Sequence, residues 1–361
     1  ERGGHTHTHT YTHIIHTTHA PHSTAGRQRA FGPLPPSSTK KTRAKTHTRT
    51  HTHTRTHTRT HTRAHTHHTA PPGARSDTGA AMAGRTLYSS EFVSVSADDG
   101  GAVATLTLAR APVNSMSLEV WEQLSAGLRA AEADMPRTRA LVVASGLRRP
   151  LFTAGNDINE LYAPRTSEGR YRRFWRAQTG CLVAFLRSPL ATVAAIGGHC
   201  PAGGCALALC CDRRVMADAP KAAIGLNEVA LGIAVPRFWV RRLAQVVGER
   251  AAEELCLGGR MVPTAEAAAL GLVDEVVPHD SKELDGAARA WAEKQARLSP
   301  AARAETKRFV RAPLADAWWA QVDAEAAACW AGLNEEGTVR ALGAVLARLS
   351  GGKKEGVAAK L

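Results

Sequence analysis

Ala222-Ala223-Ile224-Gly225-Leu226-Asn227-Glu228 is the stretch on which the fold is decided. It must be taken with two glycine turns upstream, Thr153-Ala154-Gly155-Asn156-Asp157 and Cys200-Pro201-Ala202-Gly203-Gly204-Cys205. Each turn follows a β-prone run and leads toward a helical one, so its backbone N–H groups are expected to be free and to point outward. Glycine suits such places because it accepts positive φ and lets a ligand approach the backbone. Two such donors converging on one carbonyl oxygen would hold an enolate. If Gly203 opens a helix, the helix dipole adds positive potential at the same point. Glu228 lies between Ile224-Gly225-Leu226 and Val229-Ala230-Leu231. Burial there would raise its pKa toward that of a general base near neutral pH.

Working outward, Phe92-Val93-Ser94-Val95 and Val103-Ala104-Thr105-Leu106-Thr107-Leu108 alternate apolar and polar around Asp98-Asp99-Gly100-Gly101, which predicts a β-hairpin. Ser117 is placed to cap a helix through about Ala133, with Leu118, Trp121, Leu124 and Leu128 on one stripe. Strands are expected over 140–144, 190–196, 213–217 and 272–277. Helices are expected over 170–187, 203–211 and, in succession, 282–348. The alternation predicts an α/β catalytic layer, and the Ala-rich C-terminal helices predict a separate layer used for assembly.

The net charge of +14 is set by the first 81 residues, which hold 15 of the 17 histidines and a net charge of +10; the rest carries +4. The basic balance therefore gives no support for a nucleic-acid partner. Residues 1–81 alternate His-Thr and Arg-Thr with almost no apolar periodicity, and are expected to be a disordered low-complexity leader. Such alternation is also what a CA-dinucleotide repeat yields in frame, and the first methionine is Met82. Translated upstream sequence is the preferred reading of this segment.

Several classes are disfavoured. No GxGxxG opens a βαβ unit, and Cys200-Pro201-Ala202-Gly203-Gly204-Cys205 lacks the Lys and Ser/Thr of a phosphate loop. The seven cysteines lack paired zinc spacing and read as buried thiols, so no metal is expected. No apolar run reaches the length of a membrane span. The chain ends Ala359-Lys360-Leu361, a variant of the Ser-Lys-Leu address, so a peroxisomal location through the import receptor is expected, with the mitochondrial matrix as the alternative.

Six segments in order resemble the crotonase (enoyl-CoA hydratase/isomerase) superfamily over roughly 92–314, and most closely its Δ3,Δ2-enoyl-CoA isomerase branch. They are Pro112-Val113-Asn114-Ser115-Met116-Ser117, Phe152-Thr153-Ala154-Gly155-Asn156-Asp157, Cys200-Pro201-Ala202-Gly203-Gly204-Cys205, Gly225-Leu226-Asn227-Glu228, Leu231-Gly232-Ile233 and Ala269-Leu270-Gly271-Leu272-Val273-Asp274. The resemblance implies a right-handed spiral of ββα units over 82–280. A helical region over 281–361 would build a homotrimer or a dimer of trimers. It implies that Ala154 and Gly203 N–H bind the thioester oxygen of an acyl-CoA and that Thr153, Ala154, Gly155, Asn156 and Asp157 line the CoA channel. Lys307 would meet the CoA phosphates, while Phe174, Trp175, Phe238 and Trp239 are candidates for the acyl pocket.

Members that hydrate carry a second carboxylate just after the second glycine turn, and here that position is Ala206. Members that isomerise dienes carry an acid near Pro236, and none stands there. One base, Glu228, is what a 1,3-proton shift needs, with coenzyme A as part of the substrate and no other cofactor. The alternatives are a hydratase or multifunctional member, and a non-catalytic scaffold or RNA-binding protein resting on the basic leader.

Overall fold

The computed structural model describes residues 84–98 and 100–358, the last eight of them by backbone alone. The leader over 1–81, the start at Met82 and the terminal Ala359-Lys360-Leu361 lie outside the described residues.

The predicted hairpin is present. Strands β2 (Val93–Ala97) and β3 (Val103–Leu108) pair antiparallel with Val95 opposite Leu106, and β1 (Arg85–Ser89) pairs with β2 on its other side. Val93, Val95 and Ala97 are buried while Ser94 and Ser96 are exposed, the alternation of a sheet with one wet face. Beyond β3 the sheet continues in parallel through β4 (Ala140–Ser145), β5 (Ala191–Ile196), β7 (Arg213–Ala217) and β10 (Glu275–Val277). A second sheet consists of β6 (Cys200–Pro201), β8 (Ala223–Gly225) and β9 (Val262–Pro263), in that order.

Both faces of the parallel region are covered. Leu106, Leu141, Val143, Ala194 and Ile196 face the larger core with α1 (Leu118–Ala133), α3 (Glu168–Arg187) and α4 (Gly203–Cys210). Val142, Val193, Ala195 and Val215 face the other way, onto Leu284, Ala288 and Ala292 of α8 (Ser281–Ala296). The strand positions thus alternate between two cores, as a sheet buried on both sides requires.

From β4 onward the chain repeats one circuit: a strand in the large sheet, a short strand or bridge in the second layer, then helix. After β4 the bridges Leu151↔His199 and Met116↔Asn156 lay residues 151–156 in that layer, ahead of α2 (Ile158–Leu161) and α3. The circuit β5, β6, α4 follows, and then β7 and β8 lead to α5 (Arg237–Val247) and α6 (Glu249–Leu257). This is the expected α/β architecture of ββα units. The chain closes with α7 (Thr264–Ala269), β10, α8, α9 (Pro300–Ala320), α10 (Val322–Leu333) and α11 (Glu336–Ala358). No described helix is long and apolar enough to cross a membrane.

Two local expectations change. The Ser117 hydroxyl does not cap α1; it donates to Glu119 Oε2 at 2.8 Å, and the buried Glu160 carboxylate accepts Leu118 N–H at 3.1 Å instead. The strand expected over 272–277 is confined to β10, because Leu272 and Val273 are buried in the turn that precedes it.

Candidate active site

The two glycine turns meet. A Cβ on Gly155 would stand 3.2 Å from Pro201 O and 3.7 Å from Gly203 N, and one on Gly204 would strike Thr153 Cγ2 at 2.4 Å. Gly155 also has φ +82°, so both its conformation and its surroundings demand glycine.

The first turn is held by the loop that follows β3. Asn114, fully buried with φ +52°, donates from Nδ2 to Leu108 O at 3.1 Å and to Phe152 O at 3.0 Å, and its Oδ1 accepts Arg110 N–H at 2.7 Å. Thr153 Oγ1 donates to Asn114 O at 2.5 Å and accepts Gly155 N–H at 3.0 Å. Ala154 is exposed, but its N–H donates to Val113 O at 2.9 Å. The expectation of a free N–H at Ala154 therefore does not hold. The cause is the loop running alongside the turn, where Met116 N–H also reaches Gly155 O and Asp157 N–H reaches Met116 O, each at 2.9 Å. Asp157 caps α2 through Asn159 N–H at 3.1 Å and pairs with Arg110 at 2.9 Å.

At the second turn, Ala202 takes φ 50° and ψ −122°, and α4 begins at Gly203. The first internal bond of α4 runs from Ala206 N–H to Ala202 O at 2.9 Å, so the N–H groups of Gly203, Gly204 and Cys205 precede the helical ladder. At the opposite end of α4, cations meet the carbonyl groups. Arg242 donates to Leu209 O at 2.8 Å, and Arg311 donates to Cys210 O at 3.1 Å and to Cys211 O at 3.3 Å. The helix thus has its negative end neutralised and its positive end directed at the turn.

Glu228 opens a short 3₁₀ turn, Glu228–Leu231, and is only 4% exposed. Its Oε2 is buried with no hydrogen-bond partner among the described residues, as is the neighbouring Asn227 Oδ1. Burial pushes the carboxyl up to about 7, and the bond from its own backbone N–H offsets part of that rise. Its charge acts on the thiols of Cys205, in the first turn of α4, and Cys256, both raised chiefly by burial. The carboxylate is thus near enough to the first turn of α4 for its charge to be felt at Cys205. Ala206, where a second acid would stand, is buried and apolar.

Lys307 does not join this group. It is buried, donates to Leu190 O at 3.0 Å and pairs with Asp212 at 2.9 Å. Asp212 also pairs with Arg303 and Arg311, and Lys307 first, then these two arginines, hold its carboxyl at about 2 against the cost of burial. Burial lowers the Lys307 ammonium to about 8. An ammonium enclosed in this way is not presented to a phosphate, so its assignment to coenzyme A is corrected. Phe174, Trp175, Phe238 and Trp239 are all buried, with Phe238 stacked on Trp318 at 5.7 Å between ring centres.

The sequence reading missed Asn114 as a buried hub, and it missed a polar chain from Trp121 through Asn156 to Gln178. The available signal for Gln178 was a polar residue on the otherwise apolar stripe of Tyr171, Phe174, Trp175, Cys181, Leu182 and Phe185. In chemical terms the site pairs one buried, partly unsatisfied carboxylate with a helix N-terminus behind a glycine, an arrangement suited to moving a proton next to a developing oxyanion.

Residues 98–338 match the family model described as enoyl-CoA hydratase/isomerase. The mitochondrial enoyl-CoA delta isomerase 1 of Rattus norvegicus is 36% identical over 245 residues, which is 68% of this chain and 82% of the rat protein. The Homo sapiens protein of the same name is 40% identical over 198 residues, 55% of this chain, and the match spans 64% of the human protein's length. A probable enoyl-CoA hydratase of Mycobacterium avium (strain 104) is 35% identical over 205 residues, 56% of this chain and 76% of its own. The crystal structure of human mitochondrial delta3-delta2-enoyl-CoA isomerase superposes with a TM-score of 0.69 at 34% identity, over 73% of this chain and 100% of that one. The chain therefore belongs to the enoyl-CoA hydratase/isomerase family.

Proposed function

We propose that the protein is a Δ3,Δ2-enoyl-CoA isomerase, converting 3-cis- or 3-trans-enoyl-CoA to 2-trans-enoyl-CoA in the β-oxidation of unsaturated acyl chains. The observation that carries this reading is the buried Glu228 carboxyl, raised to about 7, with Oε2 unpaired and Ala206 where a second acid would be needed. Ionised Glu228 removes a proton from C2, and the electrons move through the C3–C4 double bond and the thioester to give a dienolate. Its oxygen is held by Gly203 N–H at the positive end of α4. Protonated Glu228 then returns the proton to C4, restoring the carboxylate and leaving the double bond at C2–C3. The step balances without a redox partner.

Recruiting Ala154 N–H as the second donor requires that it share or give up its bond to Val113 O. The exposed position of Ala154 supports a channel for coenzyme A along Thr153, Ala154, Gly155, Asn156 and Asp157. The exposed Phe309 and Val310 on α9 support assembly through the C-terminal helices, as a trimer or a dimer of trimers. For location, the terminal Ala359-Lys360-Leu361 supports the peroxisome, while the mitochondrial names of the human and rat relatives support the matrix. Turnover of 3-cis-enoyl-CoA by the full chain tests the activity, and no isomerisation with coenzyme A still bound would overturn it.

A further inference from the structure

Gln178 is fully buried on α3, and its side chain is only half satisfied. The direction of its hydrogen bonding is fixed by chemistry. An indole nitrogen can only donate, and Trp121 Nε1 lies 3.1 Å from Asn156 Oδ1, so that oxygen is the acceptor. Asn156 Nδ2 is then a donor, and it meets Gln178 Oε1 at 2.6 Å. Gln178 Nε2, with two N–H groups, is left at the far end of the relay with no acceptor among the described residues. Reversing either amide would set donor against donor. Two other buried orphans of this region, the indole N–H groups of Trp175 and Trp318, both act on the buried Glu325 carboxyl, whereas Thr179 Oγ1, next to Gln178 on α3, is also unpartnered among the described residues. No acceptor among the described residues answers Gln178 Nε2.

The relay starts at the site itself. A Cβ on Gly203 would stand 2.7 Å from Asn156 Oδ1 and 3.1 Å from Met116 Cε, so the Asn156 amide borders the first residue of α4. Gln178 lies one amide farther from that point, among the buried aromatic residues of α3.

We propose that Gln178 determines acyl specificity: its Nε2 donates to an oxygen borne on the acyl chain, a hydroxyl or keto group, so the site prefers oxygenated enoyl-CoAs to plain ones. This inference rests on the acyl-CoA reading above. A plain chain leaves two buried donors unpaired, whereas an oxygenated chain supplies the acceptor they lack.

The test uses the full chain and saturated acyl-CoAs of one length, which cannot react, carrying a single hydroxyl at successive positions from C5 outward. Their affinities are measured by isothermal titration calorimetry. One position is expected to bind at least about tenfold tighter than the plain chain. Gln178→Leu removes both ends of the amide. Gln178→Met keeps the length of the side chain and carries no N–H donor. Both should abolish the preference, with melting curves showing that each variant is folded. Plain-chain binding with no hydroxyl preference at any position overturns the inference alone, as does a preference that survives both substitutions. Failure to bind any acyl-CoA overturns the acyl-CoA reading and the inference with it.

Discussion

Pro201 and Gly225 are register partners in the second sheet, and because β6 and β8 are parallel the chain leaves both strands in the same direction. Gly203 and Glu228 follow shortly after those partners, so one strand pairing delivers both the helix N-terminus and the carboxylate. If Gly203 N–H holds the developing oxyanion, Gly203→Pro should cut kcat by about 100- to 1000-fold. Gly203→Ala serves as the control, since it crowds Asn156 in the same way but keeps the N–H. Equal losses in the two variants would assign the effect to crowding and not to the donor.

Glu228 should govern both rate and stability with pH. If its ionised form is the base, kcat/KM should rise with pH and level off above about 7. Glu228→Gln should cost at least about 100-fold in turnover while coenzyme A binding persists. Stability runs the opposite way. Between the ordinary value of 4.5 and the folded value of about 7, the native state keeps a proton that the unfolded chain has lost. Native stability therefore falls as pH rises through that window, by an amount on the order of 3 kcal/mol. Glu228→Gln should melt above the wild type at pH 8, and the gap should close near pH 4.5. A constant gap across this range would remove Glu228 as the group responsible.

The Asp212 cluster predicts an asymmetry. Asp212 faces Lys307, Arg303 and Arg311, so Asp212→Asn leaves three cations without their carboxylate and should cost about 3–5 kcal/mol. Lys307→Met leaves Asp212 with two arginines and should cost within about 1 kcal/mol. Chemical denaturation measures both. Coenzyme A affinity should be unchanged by Lys307→Met, and a large loss would return Lys307 to the phosphate site.

What the sequence revealed depends on residue type at a fixed place. Gly204 is dictated by contact with Thr153, and the apolar residues flanking Glu228 foretell its burial and raised pKa. What it concealed depends on partners distant in the chain. Nothing near Ala154 announces that Val113 O takes its N–H, and nothing near Ser117 announces that Glu160 supplies the acceptor for α1. Lys307 reads as one cation in a basic helix, and only the fold brings Asp212 against it. Gln178 is intermediate, for its place on an apolar stripe was visible while its unsatisfied nitrogen required the positions of Trp121 and Asn156.

The peroxisomal proposal rests on three residues and is tested on them. A fluorescent fusion that keeps Ala359-Lys360-Leu361 at its free C-terminus should accumulate in peroxisomes, and deletion of those residues should disperse it. Mitochondrial accumulation of both fusions would favour the matrix.

The balance between isomerisation and hydration follows from Ala206. Adding water across a 2-trans double bond requires one group to activate the water and another to deliver a proton, whereas the 1,3-shift returns the proton it took. Ala206 is buried on α4 and offers no such group, so a second acid would have to come from elsewhere. With 3-cis- and 2-trans-enoyl-CoA assayed in parallel, isomerisation should exceed hydration by at least about 100-fold, the typical worth of one positioned acid or base. Comparable rates would reveal a second acid and favour the hydratase reading, which the 35% identity to the probable Mycobacterium avium hydratase also supports. The pH profile then separates the two readings, because a working acid and base together give a bell where Glu228 alone gives a single rise.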